Sequence, residues 1–371
     1  MSRIERKIAF VAATTLLCAT LEYLIPKPLP FLKLGLANLP LLICLEFFTF
    51  KQFFILLLLK SIGQGFVSGT LFSYLFLISL AGTLSSGIIM KALKSLFKDR
   101  ISLVGCSLAG AMASNFAQLQ VASVVAYGKA IWVAAPLMLS IGLASSFVLG
   151  LLAQIYQQRG TIPALLQTDT LELSLPLMQE REHNASVAIA SLLCILAILL
   201  VDQFPALALI TLLMYVLQFI AHRRILVIPP LMLLFSMVLL SLFEPNGKVL
   251  LSIGSVALTD GALNLALVKA LRLVCLLSAS QCISASNPNL KGRLLAYIPL
   301  TLGYFNLLSS SFKSGGGSLI ERVDRALIAT ASGEHTVTVR GKKAARTISK
   351  PLFSLVSFCV CSVAILSKFL F

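Results

Sequence analysis

The sequence predicts an all-α polytopic membrane protein: a six-helix bundle, then a second half of about five transmembrane helices that includes a cytoplasmic segment. Three observations carry that prediction. Of 371 residues, 58% are hydrophobic and 12% charged, with a mean hydropathy of +0.95. Soluble domains are about 25% charged, so this chain lacks the polar side chains to coat a water-facing surface of its size. Apolar stretches of about 20 residues, the length of a bilayer-crossing helix, recur along the chain. Lysine and arginine fall mainly between those stretches. A soluble enzyme, a disordered regulator and a secreted disulfide scaffold are thereby excluded. The formal net charge of +16 is read as topology determinants facing anionic lipid. The lipid bilayer is therefore an expected partner and nucleic acid is not.

In the first half the apolar runs lie at about 8–25, 34–48, 53–70, 71–92, 103–127 and 131–155. The basic start before the first run resembles a signal peptide, but the run ends at Glu22, Tyr23 and Pro26 with no small-residue cleavage site, so it is read as a retained helix. Arg3, Arg6 and Lys7 precede the first run, Lys51 follows the second, Lys91, Lys94, Lys98 and Arg100 follow the fourth, and Arg159 follows the sixth. These are alternate connections, which places the N-terminus on the cytoplasmic side of the membrane; the expected location is a bacterial inner membrane. Residues 161–184 are the longest polar stretch up to that point and read as a cytoplasmic linker between a 1–160 domain and a 185–371 domain. The second half restarts with runs near 185–201, 204–221, 225–243 and 261–283, turns polar and basic over 285–350, and closes with a run at about 351–370.

The chain lacks the motifs of several chemistries. No P-loop, nucleophile elbow or His-Glu-x-x-His occurs. The five aspartates, Asp99, Asp169, Asp202, Asp260 and Asp324, are scattered, which leaves no paired cluster for Mg²⁺ and a diphosphate. The eight cysteines and three histidines show no metal-ligand spacing. The chain is therefore expected not to be an enzyme and to bind no metal or cofactor directly.

Polar side chains inside apolar runs are the candidate functional groups, because hydrocarbon penalises them. Lys60 and Gln64 are four apart and share a helical face. A central lysine costs about 2.5–3.5 kcal/mol on insertion scales. Lys60 thus either faces a substrate or snorkels or pairs structurally. Asn115 and Gln118, three apart, are either interhelical glue or ligand contacts. The proline-stiffened stretch from Pro26 to Asn38, which includes Lys33, suits a gate or a rigid turn. Ala9 and Ala13 form a small-residue pair at i, i+4 that permits close helix approach. Lys269 and Arg272 read as snorkelling near the inner end of their helix.

Lys33-Leu-Gly-Leu-Ala-Asn38, the Lys60 to Gly69 segment and Ser114-Asn-Phe-Ala-Gln-Leu119 resemble the Gx transporter family, also labelled heptaprenyl diphosphate synthase component I. That family looks like the substrate-binding S component of energy-coupling-factor (ECF) importers. The resemblance covers about residues 1–160 and implies substrate contacts at Lys33, Asn38, Lys60, Gln64, Asn115 and Gln118. It also implies that Ala9 and Ala13 dock a transmembrane T subunit. The family commonly has His before the asparagine where this chain has Ser114, and often Arg where it has Lys60. Residues 185–371 are similar to the T subunit itself. Leu250 to Gly261 with Ala270 to Leu273 resembles its central membrane segment, and Ile320 to Gly333 resembles its first coupling helix. An Ala-Arg-Gly motif usually closes that helix; here the stretch reads Ala331-Ser-Gly333, and Arg340-Gly341 stands as a second candidate. The implied function is a membrane permease component of an ECF-type ABC importer. It would bind a small molecule and couple through Arg322, Arg325 and Arg340 to separate ABC-type ATPase subunits, which supply ATP and Mg²⁺. The alternatives are an accessory protein of isoprenoid synthesis and an ATP-independent secondary transporter.

Overall fold

The computed structural model describes residues 3–23, 34–167, 184–221, 228–243, 246–253, 256–286, 297–315, 318–332 and 349–370. The first half comprises α1 (Arg3–Tyr23), α2 (Leu39–Ile43), α3 (Phe50–Ser68), α4 (Tyr74–Phe97), α5 (Leu103–Ala122), α6 (Ala135–Arg159) and α7 (Thr161–Gln167). The second comprises α8 (Ala185–Leu199), α9 (Phe204–Ile220), α10 (Ile228–Ser241), a hairpin of β1 (Val249–Ile253) and β2 (Val256–Thr259), then α11 (Asp260–Ser286), α12 (Tyr297–Ser314), α13 (Leu319–Ser332) and α14 (Lys350–Leu370). Among the described residues, five helical stretches are long and apolar enough to cross a bilayer; one of them, 103–158, contains both α5 and α6. Ile88, Phe116, Phe147, Leu196, Phe219 and Phe358 point outward. That exposure suits hydrocarbon rather than water, and the chain is a polytopic helical membrane protein.

Local chemistry sets the helix limits. Thr49 and Gln52 form a reciprocal capping box at the start of α3: the Thr49 amide donates to Gln52 Oε1 at 2.9 Å, and the Gln52 amide to Thr49 Oγ1 at 3.5 Å. Gly69, at φ 69°, ends α3 in the left-handed conformation. Ser102 caps α5 through Gly105, and prolines sit in the first turns of α6 and α9.

Residues 34–48 fold otherwise than their hydropathy predicts. Instead of a spanning helix they form a 3₁₀ turn at Leu36–Asn38 and the five-residue α2. Gly35 enters at φ 89°, Pro40 withholds an amide, and the chain then turns through 44–48 before α3 is capped. Lys91 of α4 holds this short element, donating to the carbonyls of Leu45 at 2.5 Å and Phe48 at 2.6 Å. Lys94 pairs with Glu46 at 2.8 Å. The hairpin also lies where a membrane segment was expected; Val249 pairs with Thr259 and Ile253 with Val256. Asp260 Oδ1 closes it by accepting from the amides of Lys248 at 2.8 Å and Gly261 at 2.7 Å.

The two sequence halves interleave. One apolar core joins α1, α2 and α3 to α12 and α13; a second joins α8, α9, α11 and α14; a third joins α4, α5 and the 123–134 turns to α10 and α11. The expected linker begins as α7, with Ile162 and Leu166 buried in the first core. The 285–350 stretch contains α12, one face of which is buried on α1. There the Phe10 and Tyr304 rings meet edge-on with centroids 6.0 Å apart. Arg272, expected near a helix end, lies in mid-α11. It donates to Asp202 Oδ1 at 2.5 Å and to the Val201 carbonyl at 2.6 Å, in the turn between α8 and α9, so an ion pair holds it rather than the interface.

Candidate functional site

α3, α4, α5 and α6 surround a cavity of about 210 Å³, closed at one end by the Leu34–Leu42 segment and Glu22 of α1. Its polar lining follows helical periodicity. α3 presents Lys60, Ser61, Gln64 and Ser68; α4 presents Ser79, Thr83 and Ser86; α5 presents Ser107, Ser114, Asn115 and Gln118; α6 presents Gly142, Ser145 and Ser146. Each set recurs at three- and four-residue spacing, so each helix turns one polar stripe inward while its opposite face stays apolar.

Of the candidate ligand contacts, Asn38, Lys60, Gln64, Asn115 and Gln118 all line this one cavity. Lys33 lies outside the described residues. Lys60 is 3% exposed and its ammonium donates to Asn38 Oδ1. Glu22 is 4% exposed, and its carboxylate accepts from the Leu34 amide at 2.8 Å, joining the end of α1 to the start of the short segment. Both charges line the cavity. Asn115 donates to the Met138 carbonyl at 3.0 Å and Gln118 to Ser114 Oγ at 2.8 Å. Glycines make room for both amides: a Cβ at Gly142 would stand 2.1 Å from Asn115 Nδ2, and one at Gly82 2.4 Å from Gln118 Nε2.

Glu22 and the hydroxyl stripes were missed from sequence. Glu22 was read only as the end of a helix. The serines carried a signal in their spacing, but a helical serine satisfies itself on a carbonyl three or four residues back and so tolerates an apolar helix. Ser68 does this on Gln64 at 2.7 Å and Ser146 on Leu143 at 2.9 Å. The Ser61 and Ser86 hydroxyls, both buried in the cavity wall, have no hydrogen-bond partner among the described residues.

Ala9 and Ala13 are fully buried. Arg6, Ala9, Phe10 and Ala13 form one i, i+3, i+4, i+7 stripe. Phe10 touches Tyr304 and Arg6 acts on it, so this stripe is the side of α1 that meets α12. Arg322 turns inward, donating to the Phe312 carbonyl at 2.8 and 3.1 Å with its guanidinium 4.3 Å from the Phe312 ring centre. Arg325 is exposed and stands 3.9 Å from Glu321. Arg340 lies outside the described residues. The Tyr156 hydroxyl of α6 donates to Asp324 of α13 at 2.5 Å.

Fold and cavity together define a membrane-embedded helical protein with an internal polar chamber. Residues 11–156 match the family model described as heptaprenyl diphosphate synthase component I, and residues 184–284 match a domain of unknown function (DUF8519). No curated protein and no solved structure matches the chain.

Proposed function

We propose that the chain is the membrane permease component of an ECF-type importer, with a ligand-binding first half and a T-like second half in one polypeptide. The observation that carries this reading is the chamber: Lys60, Glu22 and the orphan hydroxyls of Ser61 and Ser86 are buried together inside an apolar bundle. Buried hydroxyls with no partner among the described residues, those of Ser61 and Ser86, call for one, and a small molecule rich in hydrogen-bonding groups supplies it. The Ala9 and Ala13 stripe against α12 supports an S-to-T contact made within the chain.

In this reading α13 passes work from the ATPases. Its inner face is buried through Ala326, Leu327 and Thr330, while Glu321, Arg325, Ile328 and Ser332 form an exposed stripe for a partner subunit. Arg322 and Asp324 position the helix, and Arg325 faces the partner. ATP and Mg²⁺ belong to those subunits. Their cycle moves α13 and, through the α12–α1 contact, tilts the first half. Transport follows only if the two orientations bind the ligand with different affinity.

The test is affinity capture of the detergent-solubilised chain from its native membrane, with mass spectrometry of proteins and metabolites. Recovery of one or two P-loop ATPases with a small molecule is the expected result. The family description favours a second reading, an accessory to a soluble prenyl synthase; recovery of such a synthase without an ATPase would replace the importer reading with it.

A further inference from the structure

The first half does not complete the chamber. Leu233 of α10 and Leu277 and Gln281 of α11 form the rest of its wall. α11 rests on the turn between α3 and α4, and Gly69 is the point of contact. At φ 69° this position already favours glycine, and a Cβ there would stand 2.5 Å from Gln281 Cγ and 3.5 Å from Gln281 Cα. Three residues on, the Phe72 amide donates to Ser280 Oγ at 3.1 Å.

Gln281 is anchored to its own half. Its Oε1 accepts from Gln218 Nε2 of α9 at 3.2 Å, and Cys282 and Ile283 beside it belong to the second core. Movement of α11 together with α8, α9 and α14 against α3 and α4 therefore carries Gln281 with it and withdraws one wall of the chamber. The Gln218 Oε1 atom is buried without a hydrogen-bond partner among the described residues. Gln281 itself lines the chamber, so its amide is held at the wall by the neighbouring helix where it can meet a ligand.

We propose that Gln281 is a ligand-contacting residue supplied by the second half, and that small molecules enter or leave when α11 lifts from Gly69. This rests on the reading of the chamber as a ligand site. It assigns the second half a role in specificity as well as in coupling.

Two measurements test it. In the first, Gly69→Cys and Gln281→Cys are combined with Ser79→Cys in the chamber, in membranes. The rate at which a small methanethiosulfonate modifies position 79 is followed by peptide mass spectrometry, which separates it from the native cysteines. Oxidising the 69–281 pair is expected to slow modification at least tenfold, with a reductant restoring it. Equal rates in the oxidised and reduced proteins, or failure of the pair to form, would overturn the gate. Gln281→Ala combined only with Ser79→Cys keeps the gate testable if the cross-linking variant does not fold; relative to Ser79→Cys by itself it is expected to speed modification at position 79 by threefold or more, and an unchanged rate counts against the gate. In the second measurement, co-purifying metabolites are compared between Lys60→Met and Gln281→Leu. Loss from both supports the composite site. Loss from Lys60→Met alone overturns the role of Gln281 and leaves the chamber reading standing. Retention in both removes the chamber reading, and with it the ligand contact proposed for Gln281.

Discussion

Lys60 of α3 donates its ammonium to the side-chain oxygen of Asn38, in the turn before α2. The bond joins a buried charge in an apolar helix to a segment that hydropathy assigns to a spanning helix. The short α2 and the chamber are thus linked: because 34–48 does not run across as a helix, its backbone and Asn38 are free to close one end of the cavity.

Replacing Asn38 by Leu should be more damaging to the fold than replacing Lys60 by Met. The first leaves a buried ammonium short of an acceptor, at about 1–3 kcal/mol. The second removes the charge and leaves the neutral Asn38 oxygen short of its donor. Thermal unfolding of the two variants in detergent checks the order. A Lys60→Met protein less stable than Asn38→Leu would contradict it.

Gly142→Ala and Gly82→Ala should each destabilise by about 1–3 kcal/mol, because the added methyl meets Asn115 or Gln118 well inside contact distance. Gly315→Ala is the control, since its nearest neighbour stands at 3.5 Å. Unfolding temperatures should separate the first two from the third.

At the α1–α12 contact, Phe10→Ala should cost about 3–5 kcal/mol, as expected for a buried aromatic. Tyr304→Phe should leave stability unchanged or raise it, because the Tyr304 hydroxyl is buried without a hydrogen-bond partner among the described residues. A large loss from Tyr304→Phe would show that the hydroxyl is used.

The two arginines of α13 should behave differently. Arg322→Ala removes two hydrogen bonds and a ring contact that hold α13 to α12, and should lower stability by about 1.5–3 kcal/mol. Arg325→Glu lies on the exposed face and should leave stability within about 0.5 kcal/mol, its ion pair being solvated. It should nevertheless reduce recovery of ATPase subunits in the capture experiment. Undiminished recovery would remove Arg325 from the coupling surface.

Much of the site was legible beforehand because a charge or amide in an apolar run stands out against its neighbours. Lys60, Gln64, Asn115 and Gln118 stand out that way, Asn38 came with the family resemblance, and all five line one cavity. Ser61, Ser79, Thr83 and Ser86 were harder to read, since a helical hydroxyl has a carbonyl at hand and does not reveal whether it faces lipid, protein or a chamber. Gln281 was beyond reach, because nothing near it in the chain indicates that α11 will lie against Gly69, more than 200 residues earlier.

By itself the sequence determined the membrane class, the long helices and the polar positions within them. These follow from local composition, since a bilayer demands about 20 apolar residues and internally satisfied backbone from any helix that crosses it. Tertiary structure decided which helices touch. It folded 34–48 into a short cap, seated α12 on α1 and α11 on the α3–α4 turn, and gathered the polar stripes of α3 to α6 around one space. Those outcomes depend on complementary surfaces brought together from distant parts of the chain, where a glycine leaves room for an amide and a buried charge finds its acceptor. Hydropathy along the chain carries no record of such pairings.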